Sequence, residues 1–283
     1  MERKTITGIA ASILVLVSGF VINGRIGLYF NLVSILIVLG GVFGAAFISF
    51  RWERLVIVYK VLRSLYRTKV RTPEEIVETL VDLSVKSKVN GILSLQDDQE
   101  ETSINFLKRA LGLLVDGFPK EQIREILTTE MYFFKLRRQE SERVLRTIAE
   151  VCPPFGLIGS IVGLLGLFST GYDDASVLQA IATALTATVY GAILAYFLFI
   201  PFAAHIRERT DNELLLQKII LEGVVAIGSE LKPRMLELKL KSFLTPSSRV
   251  VSIVSLERIR ERFKIKEEED KLPSAEKQSA VKI

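Results

Sequence analysis

Residues 151–204 read VCPPFGLIGSIVGLLGLFST-GYDDAS-VLQAIATALTATVYGAILAYFLFIPFAA, and two stretches of them, 151–171 and 177–204, contain no Asp, Glu, Lys, Arg or His. Each is long enough, at about 20 residues, to cross roughly 30 Å of hydrocarbon as a helix. Tyr172, Asp173 and Asp174 lie between them, so the pair reads as a membrane hairpin. In the first span Gly156, Gly159, Gly163 and Gly166 recur every three or four residues. In the second, Ala180, Ala184, Thr188, Gly191 and Ala195 form a similar stripe. Small residues at this spacing let helices approach backbone to backbone, which matters where lipid supplies no hydrophobic drive for association.

Toward the N-terminus the pattern repeats. Residues 5–22 and 28–50 are two more spans without an ionisable side chain, joined by the turn Asn23-Gly24-Arg25. Arg3 and Lys4 before an apolar run imitate a secretory signal, but Ser18-Gly19-Phe20 is a weak cleavage site and a second span follows at once. The hairpin is therefore read as retained. Of the 283 residues 49% are hydrophobic, with mean hydropathy +0.35 and the apolar residues in blocks, which excludes an ordinary soluble domain.

The formal charge of +5 is uneven. Arg3 and Lys4 precede span one; Arg51, Arg54, Lys60, Arg63, Arg67 and Lys69 follow span two; Arg207 and Arg209 follow span four. By the positive-inside rule both termini and the loop 51–150 lie in the cytoplasm. Tyr29, Phe30, Phe50, Trp52 and Tyr172 mark the span ends, where aromatic rings favour the interface. The expected fold is all-α: hairpin 1–50, a cytoplasmic helical loop 51–150, hairpin 151–204, and a cytoplasmic extension with a charged, partly disordered tail over 205–283.

Within the loop, Thr72-Pro73-Glu74-Glu75 is a helix start leading into the apolar face Ile76, Val77, Leu80, Val81, Leu83, Val85, and Asn90-Gly91 ends it. A second helix is expected over 101–115. A third is expected from Lys120 into span three, kinked at Pro153-Pro154. Residues 205–230 should continue span four inward to a break at Pro233, with one more charged helix over 255–270 and a disordered tail over 271–283.

The spans lack the ionisable group that ion-conducting bundles keep at depth. Their polar equipment is hydroxyl only: Ser160, Thr183, Thr186 and Thr188. Each can satisfy itself on the carbonyl one turn back. Alternatively, Thr188 beside Ala184 and Ser160 on the glycine side of span three form one narrow wall, suited to a partner helix bearing an acid. Cys152 alone builds no disulfide or metal site, no Gly-x-x-x-x-Gly-Lys loop is present, and His205 at a boundary reads as incidental. A membrane enzyme or independent transporter is thus disfavoured, and no cofactor is expected.

These residues resemble a known family. Asn31 to Gly41 (NLVSILIVLGG) with Ile48-Ser49-Phe50, Pro153 to Leu164 (PPFGLIGSIVGL), and Ala184 to Ala195 (ALTATVYGAILA) with Pro201 resemble spans two, three and four of the MotA family of flagellar stator A subunits. Lys86 to Asp97 (KSKVNGILSLQD) and Val115-Asp116-Gly117 are similar to its cytoplasmic signatures. The TolQ and ExbB energisers of the wider superfamily resemble only the last two spans, and such an energiser of another envelope process is the alternative. The resemblance implies a pentameric ring in the bacterial inner membrane around two copies of a MotB-like single-span subunit. That partner's membrane Asp binds the ion, and the ring's cytoplasmic part drives a FliG-like rotor protein.

By position, the resemblance places Ser160, Thr188, Thr186, Gly163 and Ala184 along the ion path and makes Pro153 and Pro201 couple ion passage to the cytoplasmic helices. It turns Lys88, Gln96 and Asp97 toward the rotor; Lys88 otherwise reads as a solvated charge. Gln96 stands where many members have Glu, so Asp97 or Asp98 takes over that charge. A sodium ion needs several oxygens in a rigid site, and Ser160 in place of Thr with Ala187 leaves the set incomplete, so protons are favoured over sodium.

Overall fold

The computed structural model describes residues 3–22, 29–67, 71–170 and 174–246, and among them every regular element is a helix. In order these are α1 (Arg3–Ile22), α2 (Leu32–Ser49), α3 (Trp52–Arg67), α4 (Pro73–Asn90), a 3-10 turn (Ile92–Leu95), α5 (Gln96–Glu101) and α6 (Asn105–Val115). Then come α7 (Lys120–Leu165), α8 (Leu167–Thr170), α9 (Asp174–Ile193), a π-helical segment (Leu194–Phe199), α10 (Ile200–Gly228) and α11 (Pro233–Lys241). The chain divides into two compact units, Met1–Val70 with Met131–Leu214 and Arg71–Glu130 with Leu215–Ile283.

In the first unit three helices carry windows long and apolar enough to cross a membrane: Leu32–Ser49, and parts of Lys120–Leu165 and Asp174–Gly228. The first expected span falls on α1, a helix of 20 residues. The second starts later than expected, because Asn31 caps α2 by accepting a hydrogen bond from the Ser34 N–H at 3.1 Å. The α2 residues Ser34, Val38, Val42 and Ala46 are buried, and α2 packs along α9. Leu32, Val33, Leu36, Phe43 and Phe47 stay exposed, as an apolar helix in hydrocarbon allows.

Two apolar clusters hold this unit. One joins Val38, Val42, Cys152, Ala187 and Ala195 with Phe155 and Tyr190. The other joins Val58, Val144, Leu145, Ala203 and Ile206 with Leu55, Val61 and Leu62. Thus the basic stretch after span two, expected only as an orientation signal, is a helix: α3 turns Val58 inward, leaves Lys60 and Arg63 exposed, and pairs Arg54 with Glu140.

The helix expected from Lys120 into span three is α7, which runs through Pro153-Pro154 for 46 residues. A break not foreseen lies at Gly166, between α7 and α8. Span four starts at Asp174, earlier than position 177. It widens into the π segment just before Pro201 and continues to Gly228. A proline has no N–H and crowds the carbonyl four residues back. Here the widened turn precedes it, and the Ile200 N–H reaches the Ala195 carbonyl, five residues back.

In the second unit, Thr72 caps α4 through the Glu75 N–H at 3.3 Å, and Gly91, at φ +83°, ends it. Ile76, Val77, Leu80 and Val81 of α4 are buried, as are Leu107, Ala110 and Leu111 of α6, Ile123 and Leu127 of α7, Ile219 to Ile227 of α10, and Leu236 and Leu240 of α11. The expected helix over 101–115 is divided: residues 102–104 interrupt it, and the Thr102 hydroxyl accepts from the Ile104 N–H. The expected break falls over Ser229–Lys232, and Pro233 follows it as the first residue of α11, where a proline loses no hydrogen bond. Glu222 is 8% exposed and meets Arg124 at 2.7 Å, Lys239 at 2.7 Å and Lys218 at 3.3 Å. The Arg124 hydrogen bond, opposed by burial and helped by Lys239, holds the Glu222 carboxyl down at about 2 and raises Arg124. The expected helix over 255–270 and the tail 271–283 lie outside the described residues.

Candidate functional site

The seam between α7 and α9 is built by glycine. A Cβ added at Gly191 would lie 2.7 Å from the Cys152 carbonyl oxygen, and one at Gly156 would lie 2.9 Å from that of Ala187. One at Gly163 would lie 2.9 Å from the Ala184 nitrogen. No other residue type permits this approach without moving backbone.

On the seam sit Ser160 and Thr188, their hydroxyl oxygens 2.5 Å apart. Ser160 Oγ also lies 2.6 Å from the Ala184 carbonyl oxygen and 3.1 Å from that of Gly156, and Thr188 Oγ1 lies 3.3 Å from Ala184 O. Two hydroxyl hydrogens cannot serve all these acceptors, so lone pairs stay available for a guest donor. Ser160 is half-buried and Thr188 exposed, while Gly163 and Ala184 are buried between the helices. Of the expected ion-path residues, these four come together.

Thr186 does not join them. It precedes Thr188 on α9 by two residues, about 200° at 3.6 residues per turn, and so faces the other way. Its hydroxyl is buried, 2.7 Å from the Ala182 carbonyl and 2.9 Å from Ser34 Oγ of α2. It belongs to a network that sequence reasoning did not assemble. Ser34 Oγ donates to the Thr183 carbonyl at 2.8 Å or bonds Thr186, Asn31 Nδ2 donates to Thr183 Oγ1 at 2.7 Å, and the Tyr190 hydroxyl takes the Asn31 N–H at 3.1 Å while donating to the Tyr29 carbonyl. The available signal was positional: Asn31 and Ser34 are polar residues one turn apart in an apolar span, and Thr183, Thr186 and Tyr190 repeat at three and four.

The remaining expected residues lie elsewhere. Pro153 is half-buried next to buried Cys152, and Pro201 is exposed one residue beyond the π segment's C-cap position. In the second unit Lys88 is exposed in the last turn of α4, where a cation suits the helix dipole. It lines a groove of about 450 Å³ with Ser84, Gly91, Leu93 and Glu230. Gln96 and Asp97 are exposed in the first turn of α5. Asp98, the alternative acid, is held by Lys86 at 2.6 Å, which leaves Asp97 as the more available charge. Among the described residues no cluster of three His, Cys, Asp or Glu could hold a metal.

Comparison with known proteins converges on one group. Residues 98–218 match the MotA/TolQ/ExbB proton channel family. The chain is 30% identical over 255 residues to the chemotaxis protein PomA of Vibrio alginolyticus, covering 89% of this chain and 99% of that one. It is 33% identical over 227 residues to motility protein A of Borreliella burgdorferi, covering 79% and 86%. The solved structure of C. jejuni MotAB superposes with a TM-score of 0.80 at 26% identity, over 90% of this chain and 99% of that chain. That of the flagellar MotAB stator complex from Bacillus subtilis gives 0.80 at 27% identity, over 88% and 98%. With its likeness to motility proteins over most of its length, its long apolar helices and its glycine-built hydroxyl seam, the chain belongs to the MotA/TolQ/ExbB proton channel family, on the motility protein A side of it.

Proposed function

We propose that this chain is the A subunit of an ion-driven flagellar stator, forming with a MotB-like B subunit a channel whose ion flow turns a ring of A subunits and generates torque on the rotor. The observation that carries this reading is the Ser160–Thr188 pair: two hydroxyls 2.5 Å apart on apolar spans that hold no Asp, Glu, Lys, Arg or His. Such a wall offers lone pairs to the O–H of a guest carboxylic acid but moves no ion unaided. The likeness to stator complexes supports the same assignment. In this reading α1 and α2 form one membrane hairpin and the apolar parts of α7 and α9 the other, in the inner membrane with both termini cytoplasmic. Five copies enclose a dimer of the B subunit, whose membrane Asp carries protons in preference to sodium, and Lys88 with Asp97 faces a FliG-like rotor protein.

The energetics allow it. One charge crossing the membrane releases about 2.3 kcal/mol per 100 mV, whereas swinging a two-state element from 1:99 to 99:1 takes about 5.5 kcal/mol; a single ion biases a step without forcing it. The test is to co-express the chain with its partner and follow swimming and cytoplasmic acidification as sodium and pH vary. Exchanging the partner's membrane Asp for Asn should abolish both while the complex still assembles. Motility in that variant, or ion flow through rings of this chain alone, would refute the reading.

A further inference from the structure

The first unit carries a groove of about 420 Å³ in which Lys135, Arg138, Arg143, Arg146 and Arg207 face only Glu142 and Asp211 as acids. Two of the cations are engaged: Arg146 with Glu142 at 2.9 Å, and Arg138 with Glu213 at 3.5 Å. Arg143 and Arg207 are exposed and hold no carboxylate among the described residues. Nothing in the seam between α7 and α9 uses them.

Their height is informative. Arg207 stands three residues past Ala204, the end of the apolar run, and Arg146 and Arg143 stand five and eight residues before Val151, where the other run begins. At about 1.5 Å of rise per residue these side chains start roughly 5–12 Å from the hydrocarbon edge. The headgroup layer on each face is about 5–7 Å deep, and an arginine stem extends back toward it. The planar guanidinium is suited to bidentate contact with phosphate, more so than an ammonium. Basic pockets between helices at this level select anionic headgroups.

We infer that this groove binds the phosphate of an anionic glycerophospholipid in the adjoining leaflet, gripped by Arg143 and Arg207 with Arg146 beside them. The groove's size suits one headgroup rather than a nucleic acid strand, and its place at the membrane edge favours lipid over a soluble anion.

The test uses the full chain with its partner, purified in detergent and offered phosphatidylglycerol or phosphatidylcholine, with retained lipid counted by native mass spectrometry. The wild type should keep phosphatidylglycerol selectively, and less of it as salt rises. Arg143→Gln should cut retention about fivefold, and Arg143→Gln with Arg207→Gln about 25-fold. The control pair Lys108→Gln and Arg234→Gln, which removes the same charge from exposed sites in the other unit, should leave it unchanged. Both Arg variants lose exposed side chains without ion pairs, so thermal unfolding should match the wild type. Equal retention of phosphatidylcholine, or equal loss in the control pair, would overturn the proposal. Displacement of the lipid by millimolar inorganic phosphate would make the groove a site for a soluble anion and overturn the lipid assignment.

Discussion

Adding one methyl group to the α7–α9 seam should separate the two hydroxyls that define it. In Gly163→Ala the new Cβ would sit 2.9 Å from the Ala184 nitrogen, 3.1 Å from Thr183 Cγ2 and 3.2 Å from the Ala180 carbonyl oxygen. Two of these are backbone atoms of α9 and cannot rotate away. Ordinary contact begins near 3.4 Å, so the helices must part by about half an ångström. Overpacking of this kind costs about 1–3 kcal/mol, or about 2–5 °C in melting temperature for a chain of this size. The same shift would stretch the 2.6 Å contact between Ser160 Oγ and the Ala184 carbonyl toward the weak end of hydrogen bonding. Gly44→Ala is the control, since a Cβ there meets nothing within 4 Å in this chain and alanine favours helix. The assay pairs thermal unfolding of the purified complex with proton uptake in vesicles. Gly163→Ala should melt lower and conduct less, and Gly44→Ala should do neither. If Gly163→Ala melts and conducts like the wild type, the seam is not held by backbone approach and the reasoning fails.

Three further outcomes are expected. Thr188→Val and Thr186→Val should separate function from stability: the first lowers ion flow with little change in unfolding, and the second lowers stability by about 0.5–1.5 kcal/mol with ion flow kept, because Thr186 braces Ser34. Proton flux and thermal unfolding of each variant check this. Glu222, whose carboxyl is held down at about 2 by Arg124 and then Lys239, stabilises the second unit fully above the ordinary Glu range near 4.5 and loses that contribution as pH falls from there toward 2. Glu222→Gln should therefore cost roughly 3 kcal/mol at neutral pH and flatten the acid limb of a pH-dependent urea titration. Pro153→Ala should slow rotation, read as swimming speed or tethered-cell torque, more than it reduces recovery of the assembled complex.

Much of this was legible because the solvent is apolar. Charge-free runs of span length leave little choice but helix, and Thr72-Pro73 and Asn90-Gly91 named the ends of α4 outright. Ser160 and Thr188 were placed on one wall from helical phase alone, since two antiparallel stripes of small residues admit only one close face. Other features depend on three-dimensional compensation. The π segment at Leu194–Phe199 has no composition of its own, and no residue in it marks it off from the helix on either side. The resemblance put Thr186 on the ion path together with Thr188, whereas positions 186 and 188 lie on opposite sides of a helix and Thr186 meets Ser34 of α2. The helix α3 was hidden by its charge, which reads first as topology and only second as an amphipathic face on Val58 and Leu62.

The widened turn at Leu194–Phe199 makes that part of the chain a phase setter. One surplus residue is absorbed there without losing the hydrogen-bond ladder, as the Ile200 to Ala195 bond illustrates. Deleting a single residue inside it would remove that surplus and return the rod to regular winding with Ala203 and Ile206 still facing the cluster they fill, whereas a deletion in the regular turn that follows would swing them by about 100°. Loss of one residue should therefore be tolerated in the connection near Thr102 and within these six positions, and not in the regular turn after them, where the count of residues sets the angular timing of everything downstream in the same unit.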